Sequence, residues 1–543
     1  MSDGRLVVVL HSHLPYVLGH GVWPYGEAWL YEAAADTYLP LLGTCERLVE
    51  EGVRPAFTIE ISPVLGEQLD DPRFSKGLPA HLEALVEAAA LDAEAFTARG
   101  EHHMAELAES WRLHYTSLAD LFDSYRGDLL GGLSRMAETG AIELAGSART
   151  HGLLPLLAAP ERVRRQVSDG AAWFRRRFGY PTAGMWMPEC AYRPWGPWRA
   201  PIGGSGAEDS RPGNEQFMEE AGIAWTVVDT HLVTGGQPLG SYPVRGGGPG
   251  EDASPYRPYR IGQSSVAAFP RDPATTLQVW SGEWGYPGNP WYLEFHKKHS
   301  RSGLRYWRVS DREADLGDKA PYEPARVDQV IAEQAHHFAG LVGGLMADAR
   351  REGISRPVVT APYDTELFGH WWFEGVRWLG EARRELHRQG IAVSTASEAL
   401  QEVGEVERRS LPEGSWGDGG DFRVWDNQET AWIWEEVHRA ERLLEGCRTG
   451  LPADPTPDLE EAFDQLERAV LLLESSDWPF LVTTRGAVDY AADRVRRHAW
   501  EVGQLAEAVK ALLDGQALSR DQRRLIDDLE ARQPLWLPDR RFR

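Results

Sequence analysis

At 543 residues the chain is too long for one ordinary core, and its 42% hydrophobic and 26% charged residues are the composition of a folded globular protein. A formal net charge of −25 argues against nucleic acid or an anionic membrane as partner, since both call for basic patches. The three cysteines (Cys45, Cys190 and Cys447) are far apart with no CxxC pair, so neither a disulfide framework nor a zinc ribbon is expected and a reducing, cytoplasmic setting fits.

In chain order, the first predicted strand is "RLVVVLHSH", whose apolar run, Leu6 to Leu10, is too short for a secretion signal or a membrane span. A helical pattern follows, "EAWLYEAAADTYLPLLGTCERLVEEG", ending at Gly52 in a C-cap position. Next come the strand "RPAFTIEIS" and a long helical insertion over residues 77–138. Further strands are predicted at "IELAGSARTH", "TAGMWMPE", "IAWTVVDTH", "SSVAAFPRD" and "RPVVTAPYDTE". Residues 196–214 and 234–265, rich in Gly, Pro and Ser, read as long loops. From about residue 400 the pattern turns helical, as in "DLEEAFDQLERAVLLLESSDWPF", after a Trp-rich loop around 415–427.

Continuous apolar strands alternating with helices predict a parallel sheet wrapped by helices. Seven or so such units favour a closed but incomplete (β/α)7 barrel, an α/β fold, over an open sheet. The expected division is a catalytic barrel over residues 1–400, including the insertion, and an all-helical C-terminal domain over 401–543 that contributes to the cleft.

Nearly every strand ends in a chemically loaded residue: His11 and His13, Glu60, His151, Glu189, Asp229 and His231, Asp272, Asp364 and Glu366. Barrels of this kind gather their active sites at the carboxyl ends of the strands. The 22 tryptophans cluster among Gly, Pro, Asp and Tyr, as in "MWMPECAYRPWGPW" and "GSWGDGGDFRVWDNQETAWIW", which suits rings lining a groove for flat sugar faces. Some of them serve as rigid loop anchors instead.

Glu189 and Asp364 each follow an apolar strand and a proline and sit beside a tyrosine. Glu189 is delivered among Trp186, Met187, Pro188, Tyr192 and Pro194, where an ionised carboxylate is costly unless it is paired or has chemistry to do. Two carboxyls in unequal environments divide the labour of glycoside cleavage, one attacking the anomeric carbon and the other protonating the leaving oxygen. The "HSH" at 11–13 places both imidazoles on one side of a strand, either as a metal pair or as hydrogen-bonding groups lining a pocket. No GxSxG elbow and no GxxxxGK[ST] loop occurs.

The ordered set "HSHLPYV", "GSARTHGLLPLL", "GMWMPECAYRP" and "TAPYDTELFGHWWFEG" resembles the motifs of glycoside hydrolase family 57. The flanking "WPYGEAWLYEAAADTYLPLL" and "SSDWPF" look like those of the family's 1,4-α-glucan branching enzymes. The resemblance runs through nearly the whole chain. It implies a (β/α)7 barrel, retention of anomeric configuration, no metal or other cofactor, and an α-glucan as both donor and acceptor, handled by a monomer or weak homo-oligomer. It further implies Glu189 as nucleophile and Asp364 as acid/base, with His11, His13 and His151 around the bound sugar. By the same resemblance Trp23, Trp29, Trp280, Trp416 and Trp425 line the groove, Asp477 is the C-terminal contribution, and Tyr242 is the loop tyrosine that favours transfer over hydrolysis. The competing activities are those of an α-amylase or a 4-α-glucanotransferase. A metal-dependent hydrolase or deacetylase using His11, His13 and an Asp is the other class, and a glucan-binding protein without chemistry is a third.

Overall fold

The structure, a computed structural model, describes residues 4–206, 209–236, 238 and 253–538. Seven strands form its frame: β1, Arg5–Ser12; β2, Thr58–Ile61; β3, Glu143–Ser147; β4, Met185–Trp186; β5, Trp225–Val228; β6, Ala267–Pro270; and β7, Val358–Asp364. Parallel ladders join β7 to β1, β1 to β2, β2 to β3, β3 to β4 and β5 to β6. Between β4 and β5 a single parallel bridge, Gly184 to Trp225, carries the seam. Between β6 and β7 the Asp272 N–H donates to the Thr360 carbonyl at 2.8 Å. The ring is thin at these two seams, which is the incomplete (β/α)7 barrel the alternation predicts.

Strand alternation decides which side chains reach the interior. On β1, Leu6, Val8 and Leu10 join the core shared with the helices outside, while Val7 and Val9 join a second core. His11 continues the Val7–Val9 parity. On β2 and β7 the same outer core takes Ile59, Ile61, Val359, Ala361 and Tyr363, which turns Glu60 and Asp364 inward. The register sets His11 opposite Glu60 on one side and opposite Asp364 on the other. A polar rung therefore crosses three adjacent strands at their carboxyl ends, above apolar rungs.

The helical stretch between β2 and β3 comprises Pro63–Asp70, Pro72–Ala98, His102–Ser124 and Leu129–Glu138. Its long helix starts at Pro72, earlier than residue 77, because the Asp71 side chain caps it by accepting from the Arg73 N–H, and it runs on through Pro79. Gly170, in helix Pro160–Phe178, lies against the sheet so closely that an added Cβ would meet the Ser147 carbonyl oxygen at 2.2 Å. That close approach seats the helix on β3.

The helices Ala431–Arg448, Pro457–Leu473, Asp477–Thr483, Val488–Leu513 and Arg520–Arg532 follow the barrel. A buried ionic cluster pins them to it. Arg162 Nε donates to Glu474 Oε1 at 2.6 Å, Gln166 Nε2 donates to Glu474 Oε2 at 2.7 Å, and Arg165 pairs with Glu467 at 3.0 Å. Glu474 immediately precedes the turn that enters the barrel mouth. Among the described residues, no helix is long and apolar enough to cross a membrane.

Arg162→Met leaves the Glu474 carboxylate buried without its guanidinium partner. It is expected to cost about 3–5 kcal/mol of folding stability, read as a lower midpoint of urea unfolding; an unchanged midpoint would show that the cluster does not hold the helices to the barrel.

Candidate active site

Strand ends deliver the reactive groups. His11 lies at the end of β1 and His13 just past it, His151 follows β3, Glu189 sits in the short turn Pro188–Cys190 after β4, and Asp364 is the last residue of β7. His151, Glu189 and Cys190 all have positive φ, at 57°, 62° and 47°. Each such conformation costs on the order of 1–3 kcal/mol in a residue with a side chain, and persists only where the surroundings over-determine it. At Glu189 the surroundings are the bonds to its carboxylate: Trp416 Nε1–H donates to Oε2 at 3.0 Å and Ser476 Oγ lies 3.1 Å from Oε1. The Trp416 N–H also donates to the Glu189 carbonyl at 3.2 Å.

The two carboxyls differ in environment. Burial pushes the Glu189 carboxyl up to about 7, with the Asp477 charge adding and the Trp416, His13 and Ser476 contacts opposing. Burial also drives Asp364 well above the usual carboxylate range, reinforced by the charges of Glu366 and Glu189 and offset only by Arg271. Among the described residues, no hydrogen bond reaches the Asp364 carboxyl. Hydrogen bonds to the charged form favour ionisation, and their absence favours the acid. Hydrogen bonds thus favour the ionised form at Glu189, and among the described residues none does so at Asp364.

All six ring nitrogens of the three histidines are engaged within the protein. His11 Nδ1 meets Glu60 Oε2 in a very short contact, and its Nε2 lies 3.2 Å from His151 Nε2. His151 Nδ1 lies 2.8 Å from Ser476 Oγ. His13 Nδ1 lies 2.8 Å from Ser62 Oγ, and its Nε2 lies 2.9 Å from Asp477 Oδ2. Burial lowers the pKa of His11 and of His151 well below the ordinary imidazole value, with the neighbouring histidines adding to it. Burial opposes ionisation of Asp477, yet the His13 contact, His151 and Ser475 hold its carboxyl down at about 2. His11 is stacked on Trp186, 4.5 Å between centroids and 9° between planes, which fixes the plane of its ring.

His13, His151 and Asp477 bring donor atoms within 4.8 Å of one another. The two imidazoles, however, lie face to face, 3.7 Å apart and 14° from parallel. Their in-plane lone pairs run side by side instead of converging as tetrahedral ligands do. Each nitrogen already has a protein partner, so an ion would have to break the hydrogen bonds that hold Glu189 and Asp477.

The remaining expected site residues fall into distinct places. Trp416 touches Glu189 and stands edge-on to Trp186 and Trp280, at 5.0 and 5.9 Å. Trp280 is half-buried. Trp29 is half-buried against Tyr25 and Tyr490, at 5.2 and 5.5 Å, and Trp23 stands 81% exposed nearby in sequence. Trp425 departs from its expected place in the groove lining: it is 0% exposed and stacked toward Phe480, so it offers no face to a sugar and backs the loop that carries Trp416. Tyr242 lies outside the described residues. Glu60 and Ser476 were not among the expected site residues. Glu60 was visible only as a strand-end carboxylate, and Ser476 stands in the quoted "SSDWPF" beside Asp477. Tyr38 and Glu366 add a further contact, Tyr38 Oη donating to Glu366, whose Oε1 also accepts from the His13 N–H at 3.2 Å.

A model of glycosyl hydrolase family 57 matches residues 7–412, and one described as "1,4-alpha-glucan branching enzyme, C-terminal" matches residues 436–537. A 1,4-alpha-glucan branching enzyme of Thermococcus kodakarensis is 39% identical over 98% of this chain and 78% of that protein. The crystal structure of a family 57 branching enzyme from the same organism, in complex with glucose and additives, superposes with a TM-score of 0.91 at 37% identity, covering 99% of this chain and 96% of that one. The structure of the alpha-amylase AmyC from Thermotoga maritima superposes with a TM-score of 0.80 at 27% identity, covering 98% and 97%.

Dialysis against a chelator is expected to leave turnover and the thermal midpoint unchanged. Activity lost on dialysis and restored by zinc would assign the histidine cluster to a metal.

Proposed function

Because the chain belongs to glycosyl hydrolase family 57, we propose that it is a 1,4-α-glucan branching enzyme, cleaving an α-1,4 bond and joining the freed segment to a 6-hydroxyl as an α-1,6 branch. The observation that carries this reading is the match of residues 436–537 to a C-terminal module of branching enzymes, since that module brings Ser476 and Asp477 to the barrel mouth. We take residues 1–400 as the catalytic barrel and 401–543 as the helical domain, working on α-glucan in the cytoplasm; three buried, unpaired cysteines support a reducing compartment. The chain works as a monomer or weak homo-oligomer.

In the first step Glu189 attacks the anomeric carbon, the bond to the glycosidic oxygen breaks, and Asp364 gives that oxygen its proton. Glu189 becomes a neutral ester and Asp364 a carboxylate. In the second, a 6-hydroxyl attacks the same carbon, Asp364 takes the hydroxyl proton, and Glu189 leaves as a carboxylate, giving net retention. The Trp416 and Ser476 groups lie where charge returns to Glu189. Water at ~55 M competes for the glycosyl-enzyme, so transfer demands that the acceptor be held close and water shut out. The buried Trp186 and Trp416 suit the exclusion of water from Glu189, and the half-buried Trp280 beside Trp416 suits contact with a sugar. The likeness to an alpha-amylase favours hydrolysis as the second reading.

The reaction requires Glu189 ionised and Asp364 protonated. Below the Glu189 value the nucleophile is protonated and inactive, so kcat/KM is expected to rise with pH through about 7 and to fall at higher pH as Asp364 loses its proton. Glu189→Gln should abolish turnover, and Asp364→Asn should lower kcat by about 10²–10⁴-fold and remove the alkaline limb. On amylose, branching lowers the iodine colour and creates isoamylase-sensitive links with few new reducing ends. Reducing ends released in step with colour loss would make the protein an amylase, and colour loss without α-1,6 links a 4-α-glucanotransferase.

A further inference from the structure

With Glu189 as the ionised nucleophile and the two buried imidazoles neutral, the contacts between Glu60 and Glu189 admit one arrangement of hydrogens. A carboxylate only accepts, so the Ser476 hydroxyl, 3.1 Å from Oε1, must donate to it. With its single hydrogen used, the Ser476 oxygen accepts from His151 Nδ1–H, 2.8 Å away. His151 is neutral, so its Nε2 is bare and accepts from His11 Nε2–H at 3.2 Å. His11 is neutral as well, which leaves its Nδ1 bare and facing Glu60 Oε2. A bare nitrogen against an oxygen needs a hydrogen between them, and Glu60 alone is left to supply it.

We propose that Glu60 is a protonated acid at the head of a one-way hydrogen-bond chain, Glu60 to His11 to His151 to Ser476 to Glu189, which aims the Ser476 hydroxyl at the attacking carboxylate. The proposal rests on the assignment of Glu189 as nucleophile. Glu60 acts through its neighbours and is a positioning residue. Its surroundings support the same protonation. The side chain is 1% exposed, and among the described residues its Oε1 is buried without a hydrogen-bond partner. Burial drives its carboxyl well above the usual range, the facing acidic groups Glu366 and Asp364 add to that, and the Ser12 backbone N–H opposes it. An ionised Glu60 would place a buried charge in the barrel beside two other carboxyls, with His11 as its one side-chain partner among the described residues.

The chain prepares the second step. When the ester bond to the anomeric carbon breaks, its electron pair returns to Glu189, and the hydroxyl already points at the oxygen that receives it. No proton has to leave Glu60, and no dipole has to turn at the moment of reaction. The ring planes that carry the chain are held by stacking, His11 on Trp186 and His151 on His13.

Neutron diffraction of deuterium-exchanged crystals, at a pD above the acid limb of activity, tests the direction without any variant. Deuterons are expected on Glu60 Oε2, His11 Nε2 and His151 Nδ1, and a deuteron on His11 Nδ1 facing a Glu60 carboxylate would overturn the chain. In kinetics, Glu60→Leu should lower kcat by about tenfold to a hundredfold with little change in KM, the loss expected when a hydrogen bond to a charged group is disordered. It should also move the acid limb to higher pH, because the hydroxyl no longer favours ionised Glu189. Glu60→Gln, whose amide N–H can donate to His11 Nδ1, should retain most of kcat and the wild-type limb. An unchanged kcat and limb in Glu60→Leu would overturn the proposal. Trapping with a 5-fluoro-α-glucosyl fluoride and peptide mapping separates the two assignments. An adduct on another residue removes the nucleophile reading and the chain with it, whereas an adduct on Glu189 together with a deuteron on His11 Nδ1 removes the chain alone.

Discussion

A carboxylate held at the mouth of a parallel barrel ionises only as far as donors reach it, and at Glu189 both side-chain donors come from beyond the barrel strands. Trp416 lies 227 residues along the chain and Ser476 lies 287. Burial by itself favours the protonated form of both Glu189 and Asp364. The loop that carries Trp416 and the turn that carries Ser476 change that balance at Glu189, and among the described residues no hydrogen bond does so at Asp364. The difference between the two carboxyls is therefore set by where the residues after the barrel strands dock, and the buried Arg162, Gln166 and Glu474 cluster holds part of that position.

Much of this frame was legible from residue order. The apolar runs marked the strands, and parity along "RLVVVLHSH" put His11 on the same face as Val7 and Val9. The loaded strand ends pointed to one mouth, as parallel barrels require. Local pattern is sufficient there because a strand buried on both faces has little freedom in composition. The helical pattern over 77–138 marked the insertion, and its long helix begins further upstream at Pro72, where Asp71 caps it by accepting from the Arg73 N–H.

The site was less legible wherever a partner is chosen by the fold. Trp425 stands in a Trp-rich loop of the kind that lines grooves, yet its ring is wholly buried, since composition does not tell which face of a loop meets solvent. Ser476 is one hydroxyl between Ser475 and Asp477 and has no local signature; only the return of the chain beside His151 gives it a role. Glu60 was visible as a strand-end carboxylate, but its value depends on the register that sets it opposite His11.

The histidines show how far that dependence goes. As isolated residues, three imidazoles beside an aspartate suggest either a metal or a set of sugar-binding donors. In the fold every ring nitrogen is bound to the protein, so their lone pairs and protons are spent in holding one another. The polarity of their edges and faces is therefore fixed beforehand, and the cost of ordering those groups is met during folding. Two lines of contacts run through them, one ending on Glu189 through Ser476 and the other on Asp477 through His13. The lines share the stacked pair His13 and His151, so a change in the charge of one line is felt by the other.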